Sequence, residues 1–176
     1  MRFLSVLVGA SVLGLAGCSA PEPEPEPEEL TVTEAGARYL DAVCPVNEAW
    51  DEVDAGVDRL RVAGARPAQA DAAELSEALG AELSAALTRL EQRSLAAVKT
   101  LDDPLVAWPA AAQAAVEEVR DTLVDDAEQA SSAAALDGQE LSEYRWKDPQ
   151  GIAEAAARAR AALGLPEDPA AACDAR

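Results

Sequence analysis

The sequence predicts an all-α protein: an antiparallel up-down bundle of three long helices followed by a shorter C-terminal helix. Alanine and leucine are abundant and aromatic residues make up only 3% of the chain, a balance that favours closely packed helices. Apolar residues also recur at helical spacing over long segments. The connections between these segments are short, which favours antiparallel neighbours.

The first helix is expected to begin at Thr31 and to end near Gly64. Thr31 and Glu34 have the spacing of a capping box, in which the two side chains satisfy backbone N–H groups of the first turn. An apolar seam with alternating steps of four and three residues follows and continues through Pro45, which removes one helical hydrogen bond. Two helices meeting at Pro45 are the alternative, but the unbroken seam favours one helix. The seam consists of Tyr39, Val43, Val46, Trp50, Val53, Val57 and Leu60.

Two further long helices are predicted. The second begins at Pro67, a residue suited to a first helical turn, and ends at Asp102. The third is clearest from Pro109 and ends before Asp137. The apolar face of the second contains Leu75, Leu79, Leu83, Leu87, Leu90, Val98 and Leu101. The corresponding face of the third contains Ala112, Ala115, Val116, Val119, Leu123, Ala127, Ala130 and Ala134.

A shorter fourth helix is predicted near the C-terminus. Asp148 is the expected N-cap, and Pro149 suits the first helical position. Gly164 is expected to close the helix in a left-handed conformation. The apolar face between them consists of Ile152, Ala155, Ala156, Ala159 and Leu163.

The first 18 residues have the organisation of an export signal. Arg2 supplies a positive charge, and residues 3–15 form an almost wholly apolar run that is too short to span a bilayer but suits a signal peptide. The run ends at Leu15-Ala16-Gly17-Cys18, in which an aliphatic and two small residues precede a cysteine. This motif resembles that of the bacterial prolipoprotein class. The resemblance covers residues 1–18 only and implies acylation of Cys18 and cleavage after Gly17.

The resemblance implies a lipid-anchored protein on the extracytoplasmic face of the cell membrane. Two or more acyl chains hold a protein durably where one chain is marginal. An ordinary secretory signal with a chance cysteine is the alternative. Residues 21–28 alternate proline and glutamate, which favours an extended spacer of about 3.1 Å per residue. The expected division is a signal peptide at 1–17, the lipidated cysteine and linker at 18–30, and the helical domain at 31–176.

Two cysteines, Cys44 and Cys173, remain once Cys18 is lipidated. An exported location permits oxidation, and two thiols make one disulfide. A redox-active or metal-binding thiol pair is the alternative, but the chain contains no CxxC motif and no histidine. The sequence therefore predicts a structural bridge between Cys44 and Cys173.

The composition argues against most catalytic and cofactor chemistry. Without histidine, the chain lacks the usual general base and most zinc and copper ligand sets, and it has no glycine-rich phosphate loop. We therefore expect no enzyme activity, no catalytic residue, no cofactor and no metal. Acidic residues remain, and we expect them to lie on solvated faces of the helices. They include Glu48, Asp51, Glu52, Asp54 and Asp58, and the pairs Asp102-Asp103 and Asp125-Asp126.

The net charge and one basic patch indicate which classes of binding partner to expect. The formal charge of −19 disfavours binding to nucleic acid and to anionic headgroups. Tyr144, Arg145, Trp146 and Lys147 are the most aromatic and basic stretch, a composition that binding hot spots favour. They are candidate contacts for an envelope protein or glycan partner. The alternative is that Trp146 only covers the end of the bundle core.

The expected function is that of a non-enzymatic interaction or envelope-associated module, attached to the membrane through the lipid on Cys18. A lipoprotein that binds a small ligand or a divalent cation between its helices is the first alternative. A cell-wall glycan hydrolase that uses two carboxylates is the second. An inter-helix cavity would favour the first alternative, and a buried carboxylate pair in an open cleft would favour the second.

Overall fold

The structure, a computed structural model, describes residues 26–65 and 72–176. The predicted signal peptide, Cys18, most of the linker and Pro67 lie outside these ranges. Three long helices pack side by side, and three shorter helices follow, so the predicted helical bundle is confirmed. The long helices are α1 (Val32–Gly64), α2 (Ala72–Leu101) and α3 (Gln113–Ala134). The shorter ones are α4 (Gly138–Glu143), α5 (Pro149–Ala162) and α6 (Pro169–Asp174).

Helix α1 begins as its sequence predicts. The Glu34 backbone N–H donates to Thr31 Oγ1 at 3.3 Å, and the Thr31 N–H donates to Glu34 Oε2 at 2.9 Å. The helix then runs without interruption through Pro45, so the two-helix alternative is wrong. Trp50 and Val57 are partly buried, and the other seam residues are buried.

Helices α2 and α3 differ from prediction near their starts. Leu75 is 43% exposed, so its assignment to the buried face was wrong; it lies near the start of α2. Helix α3 begins at Gln113, because Pro109 first accepts turn hydrogen bonds from the N–H groups of Ala112 and Gln113. Gly80 on α2 is buried, and a side chain there would lie 3.2 Å from the Gly138 backbone, so α4 can approach closely.

Helix α5 has both predicted caps. Asp148 Oδ1 accepts a hydrogen bond from the Gly151 N–H at 3.1 Å, and Pro149 is the first helical residue. Gly164 follows the helix with φ +66°, which glycine adopts without steric cost. The N–H groups of Gly164 and Leu165 then return to Ala161 and Arg160 carbonyls, the arrangement of a Schellman motif.

Two short strands were not predicted. Strand β1 (Glu28–Glu29) pairs in parallel with β2 (Val106–Ala107), which lies in the connection between α2 and α3. The N–H of Glu28 donates to Leu105 O at 2.8 Å, and the N–H of Leu30 donates to Ala107 O at 3.0 Å. The last residues of the expected linker are therefore fastened to the body of the bundle.

A disulfide and an alanine-rich core hold the helices together. Cys44 on α1 and Cys173 on α6 are joined with a Cα–Cα distance of 5.7 Å, as predicted, which fixes the C-terminal segment. Alanines from several helices are fully buried, and their small side chains allow the helices to approach closely; they include Ala35, Ala130, Ala133, Ala155 and Ala159. Among the described residues, no helix combines the length and apolar character needed to cross a bilayer.

Candidate functional site

The patch predicted from Tyr144 to Lys147 divides into two faces. It follows α4 as a non-helical segment, in which alternate side chains can point to opposite sides. Tyr144 and Trp146 are partly buried and pack against the core, whereas Arg145 and Lys147 are exposed. The guanidinium of Arg145 donates to the carbonyls of Glu143 and Tyr144. The structure therefore separates the two cations from the two aromatic rings.

Trp146 is the centre of an aromatic cluster. Its ring centroid lies 4.5 Å from that of Trp50 on α1, with an angle of 74° between the planes. Tyr144 lies 5.7 Å away at 76°. These edge-to-face arrangements are the ones that aromatic quadrupoles favour. Trp50 was predicted to lie in the core and Trp146 was predicted to contact a partner. The structure packs these two residues against each other.

A buried carboxylate lies beneath this cluster. Asp126 on α3 is 1% exposed, and its Oδ1 accepts a hydrogen bond from Trp146 Nε1 at 3.1 Å. Oδ2 has no hydrogen-bond partner among the described residues. Burial raises the pKa of this carboxyl, and the indole groups of Trp146 and Trp50 lower it in part, although Trp50 does not reach hydrogen-bond geometry.

Asp126 was predicted to be solvated, as part of the acidic pair Asp125-Asp126, and this is wrong because its side chain is buried. Only Asp125 of the pair is exposed. A signal was present, because Asp126 lies three residues after Leu123 and four before Ala130, on the apolar face of the predicted helix. A polar residue at that spacing indicates a buried hydrogen bond or a functional group.

Two recesses open on either side of the tryptophan pair. The smaller has a volume of about 130 Å³ and lies against α1, α2 and the segment containing Tyr144. The larger, about 430 Å³, lies between α1 and α5, and its lining includes Arg160. Trp50, Trp146 and Asp54 line both recesses. These three side chains form a partition that a ligand could contact from either side.

Asp54 is the carboxylate of this partition. Burial raises its pKa, the neighbouring Asp58 and Asp51 add to the rise, and Arg61 opposes it. Within the described ranges Asp54 forms no ion pair, whereas Glu52 on the same helix contacts Arg89 at 2.7 Å. The acidic face predicted for α1 is therefore not uniform, because one member is directed to a recess.

The acidic pair Asp102-Asp103 forms ion pairs with arginines. Asp102 pairs with Arg120 at 3.0 Å, and Asp103 pairs with Arg38 at 2.7 Å, so both stabilise the end of the bundle near β2. In the part of the chain that the structure describes, acidic and cysteine side chains do not form a group of three that could hold a metal ion.

The segment that carries Trp146 is fixed directly after that residue. The N–H of Lys147 donates to Gln129 Oε1 on α3 at 2.8 Å. Asp148 has φ 49°, a left-handed conformation that aspartate adopts more readily than most residues, and it caps α5. These contacts hold the indole in position and limit movement of the partition.

Comparisons of the chain with protein-family models, with curated proteins and with solved structures found no match. The N-terminal motif and the geometry of the two recesses are therefore the features of the molecule that bear on its function.

Proposed function

We propose that this chain is a membrane-anchored extracytoplasmic lipoprotein that acts as a non-enzymatic binding module, and that it binds a small ligand beside Trp50 and Trp146. The prolipoprotein motif ending at Cys18 supports the anchor, and the proline-glutamate linker supports a domain held away from the headgroups. In this proposal the acyl chains attach the protein to the membrane, since the formal net charge of −19 opposes attraction to anionic lipid.

The observation that supports ligand binding best is the shared lining of the two recesses. Ligand sites are usually concave, mostly apolar and aromatic, with a few polar groups that orient the ligand. Trp50, Trp146 and Asp54 have this composition, and the two rings are only partly buried. In a chain with 3% aromatic residues, this is a marked concentration of aromatic surface.

A second candidate is a protein or glycan partner that contacts the exposed side of the Tyr144–Lys147 segment. Arg145 and Lys147 are both exposed there, in a chain with a large excess of negative charge. An acidic partner would meet these cations without moving Trp146. The two candidates use opposite faces of one segment, so variants can separate them.

Thermal shift with a panel of small metabolites tests the first candidate on the purified full chain. A ligand of the recess should raise the melting temperature of the wild type and of Trp108→Phe, and should raise that of Asp54→Asn much less. Trp108 is a suitable control because its indole donates to Leu101 O at 3.1 Å, away from both recesses. A panel in which no compound distinguishes Asp54→Asn from Trp108→Phe would refute the site.

Pull-down from the source envelope tests the second candidate. Replacing Arg145 and Lys147 together by glutamine should abolish recovery of a partner while leaving the melting temperature unchanged. Recovery equal to that of the wild type would reject a partner on this face.

A further inference from the structure

We propose that the smaller recess binds a quaternary ammonium group, carried by a small zwitterion such as a betaine. This inference rests on the proposed ligand-binding function and specifies the ligand. It follows from the aromatic lining, from a carboxylate that has no ion-pair partner in the described ranges, from the size of the recess and from a nearby guanidinium group.

The aromatic lining provides the first contact. Trp50, Tyr144 and Trp146 all line the smaller recess. A cation near the face of an aromatic ring is attracted by the ring quadrupole, most strongly for tryptophan, and groups of aromatic side chains are used to recognise quaternary ammonium ligands. Because the three rings are partly buried, they are fixed by packing and still partly accessible.

The carboxylate provides the second contact. Asp54 lines the same recess and has no ion-pair partner among the described residues, so its charge is available to a bound cation. Burial and the nearby Asp58 and Asp51 raise its pKa, and the charge of a bound cation would oppose that rise. The overall charge of −19 also attracts cations over longer distances.

The remaining walls distinguish a quaternary ammonium from a primary one. Apart from Arg61 they are aliphatic, and they include Val57, Leu87 and Leu141. A primary ammonium has three N–H donors, and burial of a donor without an acceptor is costly. A trimethylammonium group has no N–H and offers methyl groups to an apolar wall, so it can be buried here beside Asp54 without leaving a donor unsatisfied.

The volume of the recess limits the size of the ligand, and a neighbouring guanidinium group bears on its charge. The recess of about 130 Å³ is close in size to an engineered cavity of about 150 Å³ that binds benzene, which is room for one trimethylammonium group. Arg61 also lines it and would repel a bare cation. A zwitterion resolves this conflict, because its ammonium can meet the rings and Asp54 while its anionic group meets Arg61.

Glycine betaine and its carbon isostere 3,3-dimethylbutanoate form a matched pair of probes. They share shape and carboxylate, and differ in the positive charge. Calorimetry and tryptophan fluorescence on the full chain should show saturable binding of betaine and no binding of the isostere. Equal binding of both compounds would overturn the inference, since it would show only an apolar recess, and binding of neither would overturn it too.

Two pairs of variants locate the site. Trp50→Leu should weaken betaine binding about twofold to thirtyfold, the range of a cation–π contact, and Trp108→Phe should leave it unchanged. Asp54→Asn should weaken binding, whereas Asp58→Asn, one turn further along α1, should do so much less. Equal weakening by Asp54→Asn and Asp58→Asn would show a general charge effect and overturn the site. Because Asp54 is on the surface of α1, Asp54→Asn tests the site even where Trp50→Leu destabilises the fold.

The outcome for betaine is separable from the outcome for the proposed function. If betaine fails and another compound still raises the melting temperature in an Asp54-dependent way, the binding function stands and the quaternary ammonium assignment falls. If no compound acts through Asp54, both fall.

Discussion

Trp146 Nε1 and Asp126 Oδ1 are joined by a hydrogen bond of 3.1 Å, which ties the segment after α4 to the only charged side chain that is buried in the described part of the chain. Trp146 is part of the partition between the two recesses, and Asp126 is buried in the core. Packing stability and the shape of the candidate site therefore depend on the same contact.

Trp146→Ala is expected to lower the free energy of unfolding by about 2–3 kcal/mol, below the full range for buried tryptophan because the ring is only partly buried. The loss has two sources, the contact with Trp50 and the unsatisfied Asp126 oxygen. Urea denaturation followed by circular dichroism measures it. Trp146→Phe is the control, since it keeps a ring but loses the N–H donor, and its loss should be about 1–2 kcal/mol. An unchanged midpoint in both variants would mean that Trp146 is a surface residue.

Asp126→Asn should change how stability depends on pH. Because burial raises the pKa of Asp126 in the folded protein, this group contributes stability that is fully present below its unfolded pKa and is lost as pH rises through its folded pKa. The asparagine variant keeps an acceptor for Trp146 and cannot ionise, so its advantage over the wild type should grow from acid to neutral pH. Melting temperatures measured across that range should diverge. Parallel profiles would contradict a buried, titrating Asp126.

Removal of the disulfide should destabilise the bundle strongly. The bridge closes a loop over a sequence separation of 129 residues, and the chain-entropy model gives a contribution of about 4–5 kcal/mol for a loop of that size. Non-reducing mass spectrometry of exported protein should find Cys44 joined to Cys173, and the double serine variant should unfold at a lower urea concentration. The reduced wild type serves as the control and should behave like that variant. Rapid alkylation of both thiols in the native protein would contradict the bridge.

Tyr39 should make the protein sensitive to alkali. Burial raises its pKa to about 12, with Arg160 opposing the rise. A group whose folded pKa is raised stabilises the fold below its unfolded pKa, about 10 for tyrosine, and loses that contribution as pH rises towards 12. The corresponding loss is about 2–3 kcal/mol. Phenolate absorbance should show a late ionising tyrosine that disappears in Tyr39→Phe. Ionisation of every tyrosine near pH 10 in the folded protein would refute this.

Cys18→Ala tests the anchor. The prolipoprotein resemblance predicts that this variant takes up no labelled palmitate and either leaves the membrane fraction or accumulates as uncut precursor. Cys173→Ala is a useful control, because it removes a thiol without touching the motif and should still be labelled. Continued labelling of Cys18→Ala would show that the motif is not a lipidation site.

The regular parts of the fold could be read from the sequence because each follows a local rule. The seam of α1, the capping box at Thr31 and the caps of α5 at Asp148 and Gly164 depend on spacing and on a few residue types, and the structure confirms them. The helix through Pro45 also follows from spacing, since the seam did not change register there.

The candidate site could be predicted only in part, because it depends on contacts between distant segments. Composition singled out Tyr144, Arg145, Trp146 and Lys147, but their division into a packed and an exposed face results from how Trp146 meets Trp50 and Asp126. Those partners lie on α1 and α3, and only the assembled bundle brings them to one place. The pairing of β1 with β2 was missed for the same reason, because two residues per strand carry no sequence pattern.

The attachment of β1 to β2 and the disulfide together determine how the molecule responds to tension. A pull on the N-terminal segment first meets the backbone hydrogen bonds at Glu28 and Leu30, and only after these break does it reach α1. If the first turns of α1 then unfold, the force acts on Cys44. The covalent bond to Cys173 transmits part of this force to α6, and the rest acts on the remainder of α1. Only the segment before Cys44 can lengthen as a single strand, and every residue that lines the two recesses lies beyond it.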